Sequence, residues 1–180
     1  MSSNSWNQTL ITSQTDGSAL TNTTTATSIL PGAAKFVLPS NLFQIGTKLR
    51  VKASGRISTA ASTPGTITFD VRFGSVIVFN GGASGTVATS ASNVTWDLEA
   101  ELTCRSIGAS TSATMIGTGR LITAALSTST PIMLLPASSP AAGTGFDSTA
   151  SQTVDLFATW SVASASNTIT CHAYELILCN

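Results

Sequence analysis

The stretch from Val94 to Arg105 reads V-T-W-D-L-E-A-E-L-T-C-R and alternates strictly between apolar and other residues. Successive side chains on a β-strand point to opposite faces of a sheet, so one face of this segment is apolar and the other is polar. At the period of a helix the same apolar residues would scatter around the cylinder. The pattern therefore predicts a strand that buries one face.

A second stretch, from Lys48 to Ile57, follows the same alternation. The polar faces of the two predicted strands carry opposite charges. The basic face consists of Lys48, Arg50, Lys52 and Arg56, and the acidic face consists of Asp97, Glu99 and Glu101. We expect these side chains to form ion pairs if the strands lie side by side or meet across an interface, where they would set register or partner choice more than stability.

The rest of the chain predicts more strands of the same kind. Eight or more apolar or alternating segments are separated by turn signals about every eight to twelve residues, and no amphipathic helix of respectable length is found. About three residues in ten are Ser or Thr, and these favour strands and turns. The fold class predicted is all-β: an antiparallel, jelly-roll-like β-sandwich formed by residues 31–180 and preceded by an extended N-terminal arm, residues 1–30.

The arm is rich in Ser, Thr, Asn and Gln and has too few apolar residues to fold by itself. One interpretation is that it orders by laying Trp6 and Leu10 on a neighbouring subunit. The alternative is a floppy terminus or an edge strand of its own domain. The sequence does not choose between them.

Composition narrows the function classes. Only 9% of the residues are charged and the net charge is zero, so the basic footprint of a nucleic-acid binder is missing. Neither a secretory signal nor a membrane-spanning apolar run is recognisable. We therefore expect a protein that is made in a cytosol and binds neither nucleic acid nor membrane. Low net charge also favours contact with other protein surfaces.

Catalytic and metal sites are poorly supported. The row Asp97, Glu99 and Glu101 has the spacing of a glycosidase pair and could also hold Ca²⁺, but solvation or ion pairing is the preferred interpretation. His172 is the only histidine, and a packed or hydrogen-bonded role is favoured over zinc binding or catalysis. We predict no enzyme, cofactor or metal site. The three cysteines are expected to be buried thiols, although a bridge between Cys104 and Cys171 across neighbouring strands is conceivable.

Two further regions have a predicted role. Residues 127–153 contain Pro131, Pro136 and Pro140 and predict a long loop, of the kind that often forms a binding or assembly surface. The glycine pairs Gly117/Gly119 and Gly143/Gly145 lack the context of a phosphate-binding loop and predict bulges or turns.

Most of residues 38–180 resembles a known family, the jelly-roll virion proteins of tailed bacteriophages. The segments that carry the resemblance are residues 38–58, 63–74, 102–108, 135–149, 155–161 and 169–176. They include L-P-S-N-L-F-Q-I-G-T at Leu38, T-P-G-T-I-T-F-D-V at Thr63 and I-T-C-H-A-Y-E-L at Ile169. These are packing and turn motifs, and no catalytic residue is transferred with them.

The resemblance implies a structural component of a virion. We expect a decoration protein that binds the major capsid protein on the outer surface of a phage head and stabilises the shell, assembling with itself as a homotrimer. The alternative is a tail or fibre module that binds a host-surface glycan through residues 127–153. The candidate assembly contacts are Trp6, Leu10, Lys48, Arg50, Lys52, Arg56, Asp97, Glu99 and Glu101.

Overall fold

A computed structural model describes residues 6–128 and 130–179, which form twelve strands and one short 3-10 helix, Gly32–Ala34. The strands are β1 (Asn7–Thr12), β2 (Leu20–Thr21), β3 (Thr27–Ser28), β4 (Phe36–Leu38), β5 (Lys48–Ser58), β6 (Ile67–Phe73), β7 (Val76–Ala83), β8 (Val94–Ser106), β9 (Thr114–Thr123), β10 (Ile132–Leu135), β11 (Gln152–Trp160) and β12 (Thr168–Cys179). In this part of the chain no helix has the length and hydropathy needed to cross a membrane.

The strands form two antiparallel sheets. The larger sheet has the order β1-β12-β5-β8-β9-β10, with β2 also paired to β12. The smaller sheet has the order β3-β11-β6-β7, with β4 also paired to β11. Strands β5 and β6 follow each other in the chain, and they pair with β12 and β11 respectively. The consecutive strands β5 and β6 thus pair with the consecutive strands β12 and β11, one pair in each sheet, as in a jelly roll. The predicted all-β sandwich is confirmed.

The core lies between the apolar faces that the alternation predicts. On β8 the buried apolar residues run from Trp96 to Cys104 at every second position, and on β6 the buried apolar residues run from Ile67 to Phe73 in the same way. The rings of Trp96 and Phe69 meet across the two sheets with centroids 5.4 Å apart. Contacts of this kind close the sandwich, because each sheet has one face that cannot remain in water.

The N-terminal segment pairs with the strands of its own chain. Strand β1 forms the edge beyond β12, β2 pairs with the start of β12, and β3 pairs with β11. Leu10 is partly buried and packs on the core, whereas Trp6 is 42% exposed. Of the two interpretations of the arm, an edge strand in its own domain is therefore what the described residues 6–30 form. Residues 1–5 lie outside the described part.

The segment 127–153 is not entirely loop, and this part of the prediction is wrong. Residues Ile132–Leu135 form β10, which pairs with β9 and is the last strand of the larger sheet. Ile116 and Ala142 form a further isolated bridge. The prolines delimit this short strand at both ends because a proline has no N–H to contribute to a ladder.

The glycines Gly117 and Gly119 lie inside β9, where the register with β8 does not shift, so the predicted bulge or turn is not found there. A Cβ atom on Gly117 would come within 2.3 Å of a ring atom of Phe79. A Cβ on Gly119 would come within 2.3 Å of the carbonyl oxygen of Glu99. Both positions require glycine because a ring or a backbone approaches closely.

Candidate interaction face on the larger sheet

The outer face of the larger sheet brings the predicted basic and acidic residues together. Strands β5 and β8 are antiparallel neighbours, with Arg50 directly opposite Glu101 and Lys52 directly opposite Glu99. Because both strands bury their other face, their charged side chains share the solvent side. The strands lie side by side in one chain, which was one of the two arrangements expected.

A chain of ion pairs runs across three strands, and we call it the charge ladder. Lys48 Nζ lies 2.7 Å and Arg50 Nη2 lies 3.0 Å from the carboxylate of Glu101. Arg50 Nε lies 3.6 Å from Glu99, whose other oxygen lies 2.7 Å from Nη2 of Arg120 on β9. The charge ladder therefore consists of Lys48, Arg50, Glu99, Glu101 and Arg120.

The protonation of the charge ladder follows from this geometry. Hydrogen bonds from Lys48 and then from Arg50 lower the pKa of Glu101 below its usual value. The hydrogen bond to Glu101 also raises the pKa of Arg50. Both effects keep the charged forms at neutral pH, because each charge stabilises its opposite across the strands.

Three of the predicted charged residues lie on the same face but outside the charge ladder. Lys52 and Asp97 are exposed and form no ion pair among the described residues. Arg56 donates hydrogen bonds to the carbonyl oxygen of Asn93 and the hydroxyl of Thr95, not to a carboxylate. Asp97 is directly opposite Ser54 and Ile122, so its neighbours on both sides are uncharged. These residues leave charge available for a partner.

Sequence reasoning missed Arg120, which completes the charge ladder. It belongs to the run G-T-G-R-L-I-T, and its alternation with Leu121 places it on the outer face of β9. That parity was readable from the sequence. Its position beside β8 was not, because the pattern of one strand does not identify its neighbour.

Two depressions lie on this face, on either side of the charge ladder. One has a volume of about 380 Å³ and is lined by Thr12, Ser13, Lys52, Ala53, Ser54, Asp97, Ala173, Tyr174 and Glu175. The other has a volume of about 350 Å³ and is lined by Glu99, Glu101, Thr118, Gly119, Arg120 and Leu134.

Trp6 lies at one end of the sandwich and not on this face. It lines a smaller depression of about 200 Å³ together with Leu42, Gln44, Thr47 and Leu178. The structure therefore does not bring Trp6 together with the charged candidates. Leu10, which packs on the core of its own chain, has no free surface comparable to that of Trp6.

The opposite sheet carries a second set of charges that the sequence prediction did not single out. Lys35 Nζ lies 2.7 Å from the buried carboxylate of Asp155, and Arg72 lies 3.0 Å from that of Asp70. The guanidinium of Arg72 also covers the ring of Phe157, 4.1 Å from its centroid. These charges are held within one sheet face and have packing partners, so they are poor candidates for binding a partner.

His172 is paired with a carboxylate, and the three cysteines are buried thiols. Nδ1 of His172 lies 2.9 Å from the carboxylate of Asp16, in the segment between β1 and β2. Cys104, Cys171 and Cys179 are free and buried, and burial raises the pKa of the Cys171 thiol to about 12. Across residues 6–128 and 130–179, no three His, Cys, Asp or Glu side chains are grouped so that they could hold a metal ion.

Comparisons with protein-family models, with curated proteins and with solved structures found no match to this chain. The resemblance of residues 38–180 to phage virion proteins therefore stays a prediction. The function proposed below starts from that prediction and from the geometry of the larger sheet.

Proposed function

We propose that this protein is a phage decoration protein that binds the outer surface of the head through the outer face of its larger sheet. The observation that carries the proposal is the combination of a charge ladder satisfied within the chain with unpaired Lys52 and Asp97 beside it. Charges already paired need no partner. Exposed charges of both signs select a surface with complementary charges.

The mode of action proposed is bridging of neighbouring capsid subunits. A protein that binds only the assembled shell stabilises that shell by mass action. The low net charge of the chain favours close approach to the capsid and to other copies, since little repulsion opposes either contact. We propose a homotrimer as the bound form, from the resemblance and not from any contact between copies.

Binding of the purified protein to heads that lack it tests the proposal. We expect the wild-type chain to co-sediment with such heads, and we expect Asp97→Lys to weaken binding at least about tenfold by reversing an exposed charge. The matched control is Val37→Lys, which adds a lysine at an exposed position on the smaller sheet. Image reconstruction of whole virions would locate the chain independently.

Two results would contradict the proposal. Equal loss of binding in Asp97→Lys and Val37→Lys would show that the larger sheet has no special role. A wild-type chain that ignores heads but labels host cells would favour the alternative, a tail or fibre module that binds a surface glycan. A glycan array would then identify that ligand class.

A further inference from the structure

Strand β10 is an edge strand with exposed apolar side chains. Ile132 is 50% exposed and Leu134 is 74% exposed, and both lie on the outer face of the larger sheet. Ile122 of β9, directly opposite Ile132, extends this apolar surface along the outer face towards the middle of the sheet. An apolar sheet edge of this kind favours association with another strand.

The backbone of the same two residues is also free to pair. Thr123 N–H donates to the carbonyl oxygen of Pro131 at 2.8 Å, which makes these two residues a hydrogen-bonded pair of the β9–β10 ladder. Hydrogen-bonded pairs alternate along an antiparallel ladder, so Met133 and Leu135 bond to β9 in turn. Ile132 and Leu134 therefore direct their N–H and C=O groups away from β9. Among the described residues no strand lies on that side.

We propose that β10 is an interface at which two copies of this chain pair edge to edge around a two-fold axis that passes between their Met133 residues. With Met133 opposite its own counterpart, Ile132 of each copy lies opposite Leu134 of the other. Each of these two pairs exchanges both of its N–H···O=C bonds, so that every free edge group finds a partner. The same register places Ile132 beside Leu134 on the outer face, where apolar cross-strand pairs are stabilising.

The charges and the prolines favour a second copy as the occupant. Arg120, which is directly opposite Leu134, is already paired with Glu99, and β10 itself carries no charged residue, so the two paired strands bring no unpaired like charges together. Pro131 and Pro136 flank the strand and limit the ladder to this short register. Two-fold symmetry makes such a short edge complementary to the same edge of a second copy.

The inference does not depend on the proposed function, but it is compatible with it. The two-fold axis of an antiparallel pair is perpendicular to the sheet, so both copies present the outer face of the larger sheet to the same side. Two neighbouring copies could then lie on one shell and be joined at their edges.

Light scattering of the full chain over a range of concentrations tests the pairing. We expect the wild-type chain to form a species with at least twice the mass of the Leu134→Lys variant, because lysine charges the edge on both sides of the axis. Val37→Lys, at another exposed position, should keep the wild-type mass. Equal masses for the wild type and Leu134→Lys would overturn the proposal.

A cross-link provides a second readout that does not depend on losing an interaction. In the proposed register, Met133 and its counterpart form a non-hydrogen-bonded antiparallel pair. The Cα atoms of such a pair are about 4.5 Å apart, within the range of a disulfide. Under mild oxidation Met133→Cys should become a covalent dimer, and Ser62→Cys, an exposed control, should not. If Met133→Cys stays uncrosslinked, the edge does not pair two copies. The same conclusion follows if Leu134→Lys loses head binding but keeps the mass of the wild-type chain.

Discussion

Arg50 lies directly opposite Glu101 in the antiparallel register of β5 and β8, and its guanidinium donates a hydrogen bond to the carboxylate at 3.0 Å. A slip of one residue between these strands would set Arg50 opposite Ala100 or Leu102 and turn one strand's apolar face to water. The pair therefore adds an electrostatic preference to a register that burial already imposes.

Glu101→Gln tests how much the charge ladder stabilises the fold. The substitution removes the carboxylate that Lys48 and Arg50 share, and we expect the free energy of unfolding to fall by about 1 kcal/mol at low salt, since partly exposed ion pairs contribute little each. The measurement is urea unfolding with and without about 1 M salt, where screening should reduce the difference. Asp97→Asn, which breaks no ion pair, should change stability by less than about 0.5 kcal/mol. A larger effect of Asp97→Asn than of Glu101→Gln would contradict this account.

The lowered pKa of Glu101 predicts an acid-dependent loss of stability. The carboxylate binds its proton less readily in the folded chain than in the unfolded chain. Its contribution is therefore present above the ordinary glutamate value of about 4.3 and is lost as the pH falls through the lower folded value. The stability difference between wild type and Glu101→Gln should shrink towards zero between about pH 5 and pH 3 in urea titrations. A difference that is constant over this range would rule out the ion pairs as its source.

Gly117→Ala should disturb the contact between the two sheets. The added Cβ would lie 2.3 Å from a ring atom of the buried Phe79, and the ring must move within a packed core. We expect a loss of about 1–3 kcal/mol in the free energy of unfolding, as for other overpacked cores. The control is Gly32→Ala, where a Cβ meets nothing within 4 Å. Equal stability of the two variants would show that the Phe79 ring can move away from the added Cβ at little cost in free energy.

The thiol of Cys171 should resist labelling in the folded protein. Burial excludes reagents and raises the pKa of this thiol to about 12, so the reactive thiolate is rare at pH 8. We expect alkylation of Cys171, followed by peptide mass spectrometry, to be at least about 100-fold slower in the folded chain than in urea. Similar rates in both conditions would mean that β12 opens readily around Cys171.

The strands with strict alternation were predictable because the residue pattern within each strand indicates which face is buried. The buried apolar residues of β8 and β6 match the predicted parity, and the charges of β5 and β8 lie on the outer face that this parity assigns to them. The prediction for segment 127–153 was less successful. Strand β10 is only four residues long, and a short apolar run between prolines does not distinguish a strand from a loop.

The candidate face was predictable in part. Glu99, Glu101, Lys48 and Arg50 were expected to be either solvated or ion-paired, and they are paired. Arg120 was missed because its parity says nothing about the strand beside it. Asp97 was grouped with the two glutamates by spacing alone. In the sheet its neighbours are Ser54 and Ile122, which leave it free.

The amino-acid sequence by itself determined that the chain is all-β and which face of each long strand is buried, because side-chain alternation acts within a single strand. Only the tertiary structure decided that β1 and β2 pair with β12 and β3 with β11, that Arg120 joins the charge ladder and that β10 ends the larger sheet with a free edge. These relationships join residues far apart in the chain. They depend on which set of pairings buries all the apolar faces at once, and no local pattern contains that choice.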